Sequence, residues 1–145
     1  MEKQILYNFI KLDLAQFATF EIDHIDNETN LELSCSFQFA YSPEHVVCCT
    51  TTVIIKRGNS PILKAGLDSY FKIQPDSVDS LTEDDYVVLP TFLMTQFASL
   101  GYGTMRGLIY AKTMGTNLEN IILPPNDVQN IFITPAKFLK SDKHN

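Results

Sequence analysis

Cys48 and Cys49 follow His45 by three and four positions, and a thiol within reach of an imidazole is the minimum for nucleophilic catalysis. That chemistry needs a thiolate, which forms in an electropositive, partly exposed setting. The third cysteine is Cys35, two of the three are adjacent, and no C-x-x-C spacing is present. This pattern predicts reduced, mostly buried apolar residues, with neither a disulfide framework nor a zinc site. His24, His45 and His144 form no metal-binding spacing. Glu83-Asp84-Asp85 lacks the ligand spacing of a calcium loop and reads as a solvated helix start, where carboxylates complement the helix dipole. Gly101-Tyr102-Gly103-Thr104-Met105-Arg106-Gly107 carries glycines at a tempting interval. A phosphate cradle, however, requires glycines between a strand and the start of a helix, and these fall inside a helical pattern. No catalytic residue, cofactor or metal is expected; a small hydrolase built on a Cys–His pair is the enzymatic alternative.

The elements that would carry these residues are strands first and a helix later. From Leu31 to Ser42, Leu31, Leu33, Cys35, Phe37, Phe39 and Tyr41 fall on one face and polar or small residues on the other, the period of a strand. Ile10, Leu12 and Leu14 alternate likewise, and the phase slips at Ala15-Gln16 before residues 17–25, which predicts a bulge. Residues 26–30 are polar and turn-prone. Residues 46–56 are β-branched or small on both faces, so this strand is expected to be central or covered by another subunit. A turn at residues 57–61 leads to alternation through Leu63, Ala65, Leu67, Phe71 and Ile73. Four strands with short links predict an antiparallel meander. After Pro75 an acidic stretch offers Ser80 and Thr82 as capping residues. Pro90 opens a helical period through Leu93, Phe97, Leu100, Met105, Leu108 and Ile109 to Gly115, with a kink or close packing expected near residues 102–107. Ile121-Ile122-Leu123-Pro124-Pro125-Asn126 reads as extended, residues 127–133 as a short last helix capped by Asn126 or Asp127, and residues 134–145 as a frayed polar tail. The fold class predicted is α+β, in a single domain spanning residues 1–145.

Composition narrows the class of function without naming one. The chain has 145 residues, 45% of them hydrophobic, enough for a real core. Its 11 Lys and Arg against 17 Asp and Glu leave a formal charge of −6, which excludes the electrostatic footprint of a nucleic-acid or anionic-membrane binder. Met1 to Lys11 shows neither an apolar signal core nor a cleavage site, and no run approaches the length of a membrane span, so a soluble cytoplasmic location is expected. Ten Phe and six Tyr, with no Trp, supply the ring surface. Phe37, Phe39 and Tyr41 share a strand face, Phe92, Phe97, Tyr102 and Tyr110 the helix, and Phe132 and Phe138 follow. A four-stranded sheet under one main helix is too thin to hide all of them, so some are expected to meet a ligand or another subunit.

Several short stretches, taken in order, resemble the SecB family of protein-export chaperones. Thr19-Phe20-Glu21 resembles its first-strand Ser-Phe-Glu, and Ser69-Tyr70-Phe71-Lys72-Ile73 its fourth-strand ending. Leu89-Pro90 with Phe97-Ala98 resembles its helix start and internal aromatic-Ala pair. Arg106-Gly107 and Ile122-Leu123-Pro124-Pro125-Asn126 resemble its Arg-Gly and the proline-punctuated segment before its last helix. The resemblance spans roughly residues 10–133. It implies four antiparallel strands, a long helix, a short C-terminal helix and assembly as a dimer or a tetramer built from two dimers.

It also implies a function: holding unfolded or extended polypeptides in apolar grooves, without nucleotide, in protein export. Phe92, Phe97, Tyr102, Tyr110 and Phe132 are then the candidate client-binding residues. Val47, Cys49, Thr51 and Val53 on the two-sided strand are the candidate oligomer interface. Glu21 matches an acidic position that docks the translocase motor ATPase in the family, whereas the fourth-strand acidic position is Lys64 here. The family's long second helix and acidic tail are replaced by residues 127–133 and by an ending rich in Lys137, Lys140 and Lys143. The alternative is a module of the same fold dedicated to one protein partner, such as an antitoxin or a conjugation-associated protein.

Overall fold

Alternating apolar and polar residues build four long strands in the first half of the chain. The computed structural model describes residues 4–20, 30–125, 128 and 131–140. The strands are β1 (Tyr7–Thr19), β2 (Glu32–Ser42), β3 (Val46–Arg57) and β4 (Ser60–Ile73). They form one antiparallel sheet in the order β1-β4-β3-β2. The expected meander therefore holds for β2, β3 and β4, while β1 crosses to the far edge and pairs with β4. Burial explains the order. β4 is buried along nearly its whole length and β3 at every second residue, so these two take the centre, and the more exposed β1 and β2 take the edges. The bulge expected at Ala15 is present, and β1 has a second register shift at Ile10. Such irregularities twist an edge and blunt it as a template for pairing.

Proline marks the change to helix. Pro75 occupies the first turn of α1 (Pro75–Leu81), where its missing N–H costs nothing. Ser80 and Thr82 do not cap it from the front; their hydroxyls donate back to the carbonyls of Asp76 and Val78. The acidic run Glu83-Asp84-Asp85 is not a helix start. It joins β5 (Thr82–Glu83) to β6 (Tyr86–Leu89) in a tight hairpin, with Asp84 at a φ of 53°, a conformation that aspartate tolerates better than most residues. Pro90 then caps α2 (Thr91–Thr113), 23 residues long.

α2 packs chiefly on β3 and β4. Leu93, Phe97, Tyr102, Met105 and Ile109 point down from it onto Val47, Cys49, Val53, Leu63, Leu67, Phe71 and their neighbours, all buried. The rings of Phe71 and Phe97 stack 4.0 Å apart. Close packing at the glycines is found at Gly101, where a Cβ would lie 2.5 Å from the Thr51 hydroxyl and 3.5 Å from that of Ser69. Both hydroxyls are buried without a hydrogen-bond partner, so this contact is bought at some cost. The proposed interface set Val47, Cys49, Thr51 and Val53 is thereby corrected. All four side chains lie fully buried beneath α2 of their own chain and cannot reach a second subunit. The strand's second face, with Val46, Cys48, Thr50, Thr52 and Ile54, is only half-buried.

Beyond α2 the chain runs back over the sheet. Leu118, Ile121, Leu123 and Val128 are buried in the core. The expected last helix is not formed by the described part of residues 127–133: Val128 and residues 131–133 are not helical, and the remainder lies outside the described residues. Where a frayed tail was expected, β7 (Ala136–Leu139) pairs with β6 to complete a small sheet of order β5-β6-β7. The second helix of the fold is α1, ahead of α2. No helix among the described residues is long and apolar enough to cross a membrane.

Candidate functional site

The core-facing row of the sheet extends past α2 on both sides, and the two flanks are finished differently. On the first, the register of β1 against β4 turns Tyr7, Phe9, Leu12, Leu14 and Phe17 toward the helix side. Tyr7 is held there: its ring meets Phe97 edge-on at 4.8 Å, and its hydroxyl donates to Gln96 Oε1 at 3.0 Å. Phe9 lies 4.6 Å from Phe71, yet it is 39% exposed, and Leu12 is 47% exposed, because nothing described covers this edge. A cavity of about 510 Å³ opens where Leu6 and Tyr7 face Phe92, Leu93 and Gln96. At the other end of α2 a smaller one, of about 280 Å³, is bordered by Phe17, Phe20, Lys112 and Leu118. There the Lys112 ammonium stands 5.4 Å from the Phe17 ring centre.

On the second flank the sheet ends in β2, whose regular alternation sets Phe37, Phe39 and Tyr41 in a row on the core side, each half-buried. Two rings of a later stretch of the same chain lie against them. The Phe132 ring meets Phe37 and Phe39 edge-on at 5.9 and 5.5 Å, and the Phe138 ring stacks on Tyr41 at 5.8 Å. β7 is held by β6, with Phe138 opposite Val87 and Lys137 opposite Val88, and the Lys140 N–H donates to the Asp85 carbonyl. The preceding stretch, residues 118–125, is fastened to α2 by side chains. Tyr102 donates its hydroxyl to the Pro124 carbonyl at 2.7 Å, and Arg106 Nε donates to that of Leu123 at 3.1 Å.

The three cysteine thiols lack the electropositive, exposed setting that activates a nucleophile. Burial pushes the Cys35 thiol up to about 11 and that of Cys49 to about 12, and it also raises Cys48. These thiols stay protonated near neutrality, the opposite of an activated nucleophile. His45 is a turn residue whose Nδ1 shares a 3.1 Å hydrogen bond with the Tyr41 hydroxyl. Gly101, Gly103 and Gly107 lie inside α2, where backbone N–H groups are spent on the helix. Among the described residues no three His, Cys, Asp or Glu side chains are grouped to hold a metal. On the opposite sheet face Thr50 donates to Asp68 at 2.6 Å, Lys11 lies over the Tyr70 ring, and Lys64 is half-buried, so acids and bases are mixed. Glu21, His24 and His144 lie outside the described residues.

The five candidate client-binding residues do not converge on one groove. Phe97 and Tyr102 are core residues, fully and almost fully buried beneath α2, which corrects their assignment: helical spacing put them on the sheet-facing side. Phe92 and Tyr110 are 55% and 51% exposed on α2. Phe132 is on the far flank, against β2. The row Phe37, Phe39 and Tyr41 was visible in the sequence as a strand face. Its cover by Phe132 and Phe138 was not, because that depends on β2 being an edge strand.

A four-stranded antiparallel sheet with one long helix laid across it defines an α+β chain with a SecB-like fold. A solved structure of this kind is the SecB-like chaperone Rv1957 of Mycobacterium tuberculosis, in complex with a ChAD peptide from the Rv1956 HigA1 antitoxin. It superposes with a TM-score of 0.57 over 83% of this chain and 87% of that one, at 10% sequence identity. At that identity the likeness is one of fold. No protein-family model and no curated protein sequence matches the chain.

Proposed function

We propose that this chain is a SecB-like polypeptide-binding protein that holds extended or unfolded segments on the aromatic row of β2, without catalysis or cofactor. One observation carries the reading: on the edge strand β2, the row Phe37, Phe39 and Tyr41 is met by two rings of a later stretch of the chain, Phe132 and Phe138. A surface built this way accommodates rings and backbone of an extended chain with little demand on sequence. The net charge of −6 favours basic segments. The open apolar edge at β1, with Phe9, Ile10 and Leu12 exposed, is proposed as the contact between copies, through burial of these side chains rather than strand pairing, which the bulges oppose. The mixed charge around Lys64 gives no support to docking of a translocase motor, and export is not part of the proposal.

A second reading, a module dedicated to one partner, is favoured by the fold neighbour's complex with an antitoxin peptide. Aggregation assays with several unrelated denatured proteins separate the two. Suppression of most of them supports a general holdase, suppression of none overturns it, and binding confined to a single partner peptide supports the module. Light scattering of Leu12→Glu tests the assembly: the wild-type chain is expected as a dimer or larger and the variant as a monomer. A wild-type monomer contradicts the β1 contact.

A further inference from the structure

Residues 131–140 have the chemistry of a ligand as much as of a structural element. Ala136–Leu139 within them are extended and join the free edge of β6 through backbone pairing, and the stretch sets two rings, six positions apart, on the aromatic row of β2. Backbone pairing of this sort is the sequence-tolerant way for a protein to hold a peptide. Lys137 and Lys140 accompany the second ring, and the stretch ends beside the acidic turn Glu83-Asp84-Asp85, with the Lys140 N–H on the Asp85 carbonyl. A basic, aromatic stretch is thus seated on an acidic protein.

The hold is partial. Phe132 and Phe138 are half-buried, and Ile131, Ile133 and Leu139 are exposed, Ile133 by 88%. By contrast Leu118, Ile121 and Leu123 are buried, and their stretch is tied to α2 by Tyr102 and Arg106.

Resting on the polypeptide-binding reading above, we propose that residues 131–140 are a displaceable occupant of the protein's own groove. Their pattern then defines the preferred client: an extended segment with two aromatic residues six positions apart and lysines beside the second. A tethered occupant competes at an effective concentration of order millimolar. It therefore scales the apparent affinity of the groove for outside peptides by the fraction of time the groove is free, and favours segments that match its pattern.

The test uses the full-length chain and a fluorescently labelled synthetic peptide with the sequence of residues 131–140. Tyr86 and Leu139 face each other across β6 and β7 and are both exposed. Direct partners in an antiparallel pair lie within disulfide reach, so Tyr86→Cys with Leu139→Cys locks the stretch in place when oxidised. The oxidised form is expected to bind the peptide at least about tenfold more weakly than the reduced form. Phe132→Ala with Phe138→Ala, which loosens the occupant, is expected to bind it about tenfold more tightly than wild type. Equal affinity in oxidised and reduced forms overturns the proposal, and does so even if the double-alanine variant fails to fold. A reduced, carboxymethylated unfolded protein serves as a second probe. If it binds every form equally, displacement is wrong and polypeptide binding stands; if neither probe binds any form, both fall.

Discussion

Residues 118–125 and residues 131–140 belong to one returning segment, yet the structure treats them differently. The first stretch contributes buried Leu118, Ile121 and Leu123 to the core and takes hydrogen bonds from two α2 side chains. The second lies on an edge strand, with half-buried rings and exposed aliphatic neighbours. The first is therefore part of the fold, and the second covers a surface that the fold leaves unfinished. Stability should depend on the first stretch and binding on the second.

Truncation in the anchored stretch should show this most strongly. Leu123→Ala is expected to cost about 2–5 kcal/mol in urea unfolding, the range for a buried leucine. A loss below about 1 kcal/mol would place the stretch outside the core. Tyr102→Phe removes the bond to the Pro124 carbonyl and should cost about 0.5–1.5 kcal/mol by the same assay. Phe138→Ala, in the second stretch, should cost about 1 kcal/mol, since only part of the ring leaves water. If it equals Leu123→Ala, the contrast between the stretches is lost.

A pH titration reads the cover over β2 from below. Cys35 packs against the cluster that contains Leu118, Ile121 and Leu123, and its thiol is raised by burial to about 11. The folded state holds that proton more tightly than the unfolded one, as it does for Cys49 near 12. Stability from this source is complete below about pH 9 and is lost as pH rises toward 11–12, so the unfolding midpoint should fall across that window. The smallest effect is expected at Ile133, where Ile133→Ser should leave stability within about 0.5 kcal/mol.

The strands of the sheet were legible because their signal is local. Phe37, Phe39 and Tyr41 alternate with polar residues, and the phase slip at Ala15 marks a real bulge. Strand order was not legible. The crossing of β1 to β4 is set by which strands can be buried on both sides, and the two-sided run of β3 fits a central strand as well as a subunit contact. That ambiguity sent Val47, Cys49, Thr51 and Val53 to an interface, although the helix of the same chain buries them. The helix itself was read correctly, but its pattern cannot say which rings meet the sheet, so Phe97 and Tyr102 were grouped with Phe92 and Tyr110. β7 escaped notice because Ala136-Lys137-Phe138-Leu139 is too short and too charged to stand out as a strand until β6 supplies its partner.

Hydrogen exchange at the amides of β7, with and without a saturating unfolded polypeptide, tests the account most directly. In the free protein β7 should exchange faster than β3 and β4 and slower than unpaired backbone. On saturation, β7 amides that bond to β6 should lose protection while β3 and β4 keep theirs. Unchanged or increased protection of β7 in the bound protein would contradict the claim that the aromatic row of β2 is the polypeptide site and that the chain's own segment yields it.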